Sequence, residues 1–153
     1  MREWPADWNE RKLGKDCPMC ESGRPDETEY GIRIRAARYS DAYLQRRGLV
    51  RGYCIVIWRG RHVAEPTELD RAEASGYWAE VLDVARALEG AYMPLKINIS
   101  MLGNTLPHLH AHILPRYSDD PAPFGPLPFG LEDPAFPEDQ LRNDARALEE
   151  RLR

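Results

Sequence analysis

Residues 104–117 read "NTLPHLHAHILPRY", and this stretch governs how the rest of the chain is interpreted. The chain has four histidines, and three of them, His108, His110 and His112, fall here at every second position. Side chains alternate across a strand, so "HLHAHILPR" predicts a last strand with the three imidazoles on one face. Leu109, Ala111 and Ile113 then point to the other face and belong to the core. Three polar rings buried side by side without partners would cost several kcal/mol, which argues against a purely structural row.

Working outward, "YGIRIRA" alternates apolar and charged residues and predicts a half-exposed strand. "SDAYLQRR" predicts a second strand, and "GLVRGYCIVIW" a longer and more buried third one, with Cys54 in the core. "PTELDRAEASGYWAEVLDVARALEGAY" is the clearest helix, with Thr67 as N-cap, Asp70 at the third helical position and Gly90 closing it. Its apolar face is Leu69, Ala72, Trp78, Val81, Leu82, Ala85 and Leu88. "LKINISML" predicts the penultimate strand, and Gly103 and Asn104 a turn. Seven of the 13 prolines fall between Pro115 and Pro137, which predicts a surface-hugging arm without regular structure. "PEDQLRNDARALEERLR" closes the chain as a helix with Leu141, Ala145, Leu148 and Leu152 on one stripe. The order predicts an α+β domain with a mostly antiparallel sheet of about five strands, one main helix and a C-terminal helix. Residues 1–117 carry the sheet, and 118–153 the arm and last helix of the same structural unit.

Composition narrows the partners. At 153 residues the chain suits one domain with a real core. A net charge of −4 argues against a nucleic-acid surface, although 18 of the 21 basic residues are arginine and local anion sites stay possible. No apolar run approaches the ~20 residues of a membrane span, and "MREWPADWNERKLGKD" lacks a signal-peptide core. A cytoplasmic protein is the expectation. Three cysteines, two of them in "CPMC" at Cys17 and Cys20, fit a metal half-site or redox motif better than a structural disulfide.

Two chemical readings of the row remain. Three imidazoles could ligate one catalytic metal, but a straight run of three spans ~13 Å, too long for an unstrained tetrahedral site. Alternatively the row divides its labour: one ring attacks phosphorus while its neighbours orient it and bind substrate. Gly103, Asn104 and Thr105 before the strand, and Arg116 after it, offer anion donors for the second reading. The same turn reads equally as a plain Gly-Asn hairpin.

"HLHAHIL" resembles the signature of the histidine triad family of nucleotide hydrolases and transferases, in which His alternates with apolar residues. "LGNTLPHLHAHILPRY" is similar to its bacterial branch throughout, and "YCIVIWRGRHVAEPTELD" and "KINISMLGN" extend the resemblance over roughly residues 15 to 117. The resemblance implies that His110 is the nucleophile toward the α-phosphorus of a nucleotide, and that His112 contacts the α-phosphate and helps the leaving group. His108 would orient the row or ligate metal. Asn98, Gly103, Asn104 and Thr105 match positions that hold ribose or phosphate, Asn104 standing where many members have Gln. It further implies a HIT-like fold, a nucleotide substrate and a homodimer formed through the helix and a paired strand. Hydrolysis of a dinucleoside polyphosphate or nucleoside phosphoramidate is the activity expected. A nucleotidyltransferase or phosphorylase, and a nucleotide-binding module with little turnover, are the rivals.

Cys17, Cys20, His62 and His108 would make a Cys2His2 shell suited to structural zinc, and some family members carry zinc on matching positions. The alternative is that His62 only bonds its neighbours and the thiols stay free. The family's Asp-containing strand is here "ARYSDAYLQRRGLVRG". Asp41 is its candidate for the ribose. Its arginines either favour a longer, more anionic substrate or are solvated surface charge.

Overall fold

The computed structural model describes residues 3–127 and 133–153. Five antiparallel strands form one sheet: β1 (Gly31–Ala36), β2 (Ser40–Gln45), β3 (Cys54–Trp58), β4 (Lys96–Ser100) and β5 (His110–Arg116), in spatial order β1-β2-β3-β5-β4. Two short helices, α1 (Trp8–Lys12) and α2 (Pro18–Glu21), precede the sheet. The long helix α3 (Arg71–Tyr92) joins β3 to β4, and α4 (Glu138–Arg151) ends the chain. This is the α+β arrangement expected from the sequence.

The two faces of the sheet differ because the strands alternate. Cys54, Val56, Ala111 and Ile113 face α3, which buries Tyr77, Val81, Val84, Ala85 and Leu88 against them. Each valine, leucine or isoleucine among them contributes roughly 1.5–3 kcal/mol by leaving water. The Tyr77 hydroxyl, carried into this layer, donates to the Val56 carbonyl at 2.9 Å. α4 covers the β1 end with Leu141, Ala145 and Leu148. The opposite face carries His110 and His112.

Several boundaries differ from the sequence reading. The third strand starts only at Cys54, because residues 49–52 turn and Gly52 sits at φ +86° with the Tyr92 ring where a Cβ would stand. The long helix starts at Arg71 rather than near Thr67. Glu65 and Glu68 close a separate 3-10 turn over Pro66–Glu68, while Asp70 is the N-cap and exchanges bonds with Glu73 at 2.8 and 2.9 Å. The helix also runs past Gly90 to Tyr92. Met93 ends it in a left-handed conformation (φ 48°), because Pro94 excludes a helical residue before it. Ala72 and Trp78, expected on the buried face, are exposed, and Tyr77 and Glu80 take the inside.

The arm after β5 has no helix or strand among its described residues from Tyr117 to Leu127. Residues 128–132, within the expected arm, lie outside the described residues. Leu127 packs on Val50, Tyr53 and Leu114, so the arm reaches the histidine face at the Leu114 end, and Ala135 bridges Arg47.

Candidate functional site

The strand β5 begins at His110, so the expected row of three breaks in two. His108 and Leu109 precede the strand and pair irregularly: Leu109 N–H donates to Val63 O at 2.7 Å, and Trp58 N–H to Leu109 O at 2.9 Å. His108 turns toward the N-terminal segment, while His110 and His112 stay together with ring centroids 4.8 Å apart. All three rings are buried.

His110 Nδ1 lies 2.6 Å from the His108 carbonyl oxygen. A carbonyl only accepts, so Nδ1 carries the proton and Nε2 the lone pair. Burial holds the ring below its ordinary range, which keeps it neutral near pH 7. His112 Nδ1 is hydrogen-bonded to the Tyr53 hydroxyl at 2.7 Å, and the two rings stack. Burial and the neighbouring His110 push His112 down to about 4, while burial raises the Tyr53 phenol. Two neutral imidazoles, one with a defined free lone pair, are what nucleophilic attack on phosphorus requires.

His108 is tied the opposite way. Its Nε2–H donates to the Trp58 carbonyl at 3.0 Å, so Nδ1 is the unprotonated nitrogen, and it lies 3.4 Å from Cys17 Sγ and 3.5 Å from Cys20 Sγ. His62 repeats the pattern, with Nε2–H on the Lys12 carbonyl at 3.2 Å and Nδ1 3.4 Å from Cys20 Sγ. The cysteine pair sits on the first turn of α2, with Pro18 at the position where a helix tolerates it. The four ligand atoms lie within 4.8 Å of one another and could hold a metal ion. A tetrahedral zinc with bonds of ~2.0–2.3 Å needs ligand separations of about 3.3–3.8 Å, and the Cys17–His108, Cys20–His108 and Cys20–His62 separations fall in that range. Each ring nitrogen away from the cluster is fixed by a backbone carbonyl, the outer-sphere support that metal-bound imidazoles use. Burial and the Cys17 sulfur raise the Cys20 thiol to about 11.

The remaining sequence candidates fall around the pair. Ser100 registers with His112, and Asn98 with Leu114, so Asn98 shares the histidine face; its amide oxygen accepts from Arg116. The β4–β5 connection leaves the sheet beside His112 and returns at His110. It carries Gly103 (φ +75°) and the exposed Asn104 and Thr105. Arg116 is not an open anion donor as the sequence suggests. Its guanidinium is buried and bonded to both Asp120 oxygens and to the Asn98, Ala122 and Gly125 oxygens. Asp41 is buried in one cross-strand row with Ile57 and His110. It lies 3.2 Å from Arg24 and 3.6 Å from Arg59, and burial pushes it up to about 6 against the pull of Arg33. Of the arginines in residues 37–52, Arg46 pairs with Glu27 and Glu138, Arg51 pairs with Asp144, and Arg47 donates to the Asp133 carbonyl.

Sequence reasoning missed Tyr53 and Asp120. Tyr53 is in phase with Ile55 and Ile57 and so shares the histidine face, but only the β3–β5 register brings it to His112.

Residues 33–119, more than half of the chain, match the HIT domain family. The chain belongs to the HIT family. Bis(5'-adenosyl)-triphosphatase of Saccharomyces cerevisiae is 26% identical over 86 residues, and the chain spans only 42% of that curated relative's length. A HIT protein from Bradyrhizobium japonicum has the same fold at TM-score 0.75 and 26% identity, covering 82% of this chain and 92% of that one. A zinc-bound HIT protein from Mycobacterium smegmatis shares the fold at TM-score 0.63 and 22% identity, covering 90% of this chain and 94% of that one. No helix among the described residues is long and apolar enough to cross a membrane.

Proposed function

We propose that this HIT protein hydrolyses nucleotides at the α-phosphate through a nucleotidyl-His110 intermediate. The observation that carries the reading is the 2.6 Å bond from His110 Nδ1–H to the His108 carbonyl, which commits Nε2 to the lone pair. In the first step Nε2 bonds to the α-phosphorus as the bond to the leaving group breaks. The ring gains positive charge, and the His108 carbonyl, already accepting from Nδ1–H, stabilises it without reorganising. In the second step water displaces the imidazole and releases the mononucleotide. His112, held by Tyr53, contacts the α-phosphate. Asn98, Gly103, Asn104 and Thr105 supply amide, backbone and hydroxyl donors to phosphate and ribose. Substrates of the dinucleoside polyphosphate or phosphoramidate type fit this chemistry, and the resemblance to a bis(5'-adenosyl)-triphosphatase supports the first.

Cys17, Cys20, His62 and His108 would hold zinc, which supplies a rigid tie between the N-terminal segment and the residue before the nucleophile. The reading takes the protein as a cytoplasmic homodimer. The edge position of β4 among the described strands and the exposed Trp78, Met93 and Leu95 support the second subunit.

The test is release of AMP or GMP from a panel of dinucleoside polyphosphates and nucleoside phosphoramidates, in the parent and in His110→Ala. Turnover in the parent, lost in a folded variant, is the expected result. Nucleotide binding without turnover on any substrate would overturn the hydrolase in favour of a binding module. Product formed only with added phosphate or sugar phosphate would make the protein a transferase.

A further inference from the structure

A cleft of about 560 Å³ lies between β4 and the arm, outside the histidine pair and the metal cluster. Lys96, Asn98 and Ser100 form its β4 wall, Phe124 and Leu127 its arm wall, and Arg116 joins the two. It adjoins the reacting pair, because Ser100 stands directly across from His112 in the β4–β5 register. The strand rise then carries Asn98 and Lys96 about 7 and 13 Å away from Ser100 on the same face.

No carboxylate lines the cleft among the described residues; its cations are Lys96 and Arg116, the charge of Arg116 being matched by Asp120 behind it. Arg116 is engaged through every nitrogen with Asp120, Asn98, Ala122 and Gly125, so it acts as a clamp. Its donors also fix the Asn98 amide: a guanidinium only donates, so the amide oxygen faces Arg116 and the Nδ2 donor turns away from it. Phe124 lies between the two arm residues whose carbonyls Arg116 holds, and its ring is fully exposed. An aromatic ring carried in water on an anchored segment is a ready stacking platform for a base. The volume is within the range of small-molecule sites.

We propose that this cleft binds the leaving nucleotide of a dinucleoside polyphosphate, its phosphates along Ser100, Asn98 and Lys96 and its base against Phe124. The assignment rests on the hydrolase reading above and adds the substrate's second half to it.

The test uses His110→Ala, which cannot form the covalent adduct, titrated calorimetrically with diadenosine triphosphate and with AMP. Adding Phe124→Ala weakens diadenosine triphosphate at least about fivefold and leaves AMP within about twofold. Adding Lys96→Ala weakens the dinucleotide too, with a shallower salt dependence. Equal weakening of both ligands, weakening of neither, or no dinucleotide binding at all overturns the subsite. Turnover of an adenosine phosphoramidate, whose small leaving group does not reach Phe124, separates the two readings. It is present in the parent and in Phe124→Ala when the hydrolase reading holds, so that a failed dinucleotide titration then counts against the subsite alone. It is absent from the parent if the hydrolase reading is wrong. A shift from dimer to monomer in Phe124→Ala with unchanged dinucleotide affinity assigns the ring to a subunit contact and overturns the proposal.

Discussion

His108 and His110 are two residues apart and chemically identical, yet the fold gives them opposite ends. In His108 the carbonyl of Trp58 takes the proton on Nε2, and Nδ1 is left facing two thiols. In His110 the carbonyl of His108 takes the proton on Nδ1, and Nε2 is left with the lone pair. One backbone carbonyl per ring decides which nitrogen is left unprotonated. The contrast teaches that an imidazole's role is set by what holds its second nitrogen.

The sharpest way to break the contrast is to remove each ring in turn. His110→Ala is expected to lower turnover at least about 10³-fold while the melting temperature stays near the parent's. Significant residual turnover would sink the nucleophile. His108→Ala and Cys17→Ser should instead lose bound zinc, about one equivalent by elemental analysis in the parent, and lower the melting temperature by more than about 10 °C. A parent purified with zinc in the medium that binds none would remove the ligand half of the comparison.

Tyr53→Phe sharpens it from the other side. The ring volume is kept and only the 2.7 Å bond to His112 is lost, so turnover should fall about tenfold with KM little changed. An unchanged kcat would show that His112 needs no partner.

The smallest effect is on acid stability. His112 sits at about 4 in the fold, against 6.5 as its ordinary value. The unfolded chain therefore binds more protons between those values. The stabilisation is full above about pH 6.5 and is lost as pH falls through about 4. Urea midpoints measured at steps from pH 7 to pH 4 should fall, and His112→Asn should flatten the fall. Identical slopes in the two proteins would show that His112 is not the group responsible.

Much of the fold was legible in the chain. The alternation in "YGIRIRA" and the apolar run through Cys54 located β1 and β3, and the stripe of Leu141, Ala145 and Leu148 located α4. Boundaries were less so, because neighbouring signals compete: Glu68 serves a local turn, Asp70 wins the cap, and Pro94 rather than Gly90 ends the helix. Trp78 misled for a similar reason. Helical spacing gives a stripe, but only packing against the sheet chose Tyr77 for its centre.

The sequence by itself determined the residue types and their phase: four histidines, a Cys-x-x-Cys pair, and a period of two that sets imidazoles against aliphatic side chains. Those are properties of covalent order and strand geometry. Tertiary structure alone decided which imidazole meets the thiols, that Tyr53 reaches His112, and that Arg116 is clamped by Asp120 instead of open to anions. Each of these depends on register or on a long-range hydrogen bond between segments 59, 91 or more residues apart, or on how the arm folds back over the sheet. Local pattern carries no term for such meetings; the closing of the sheet supplies it.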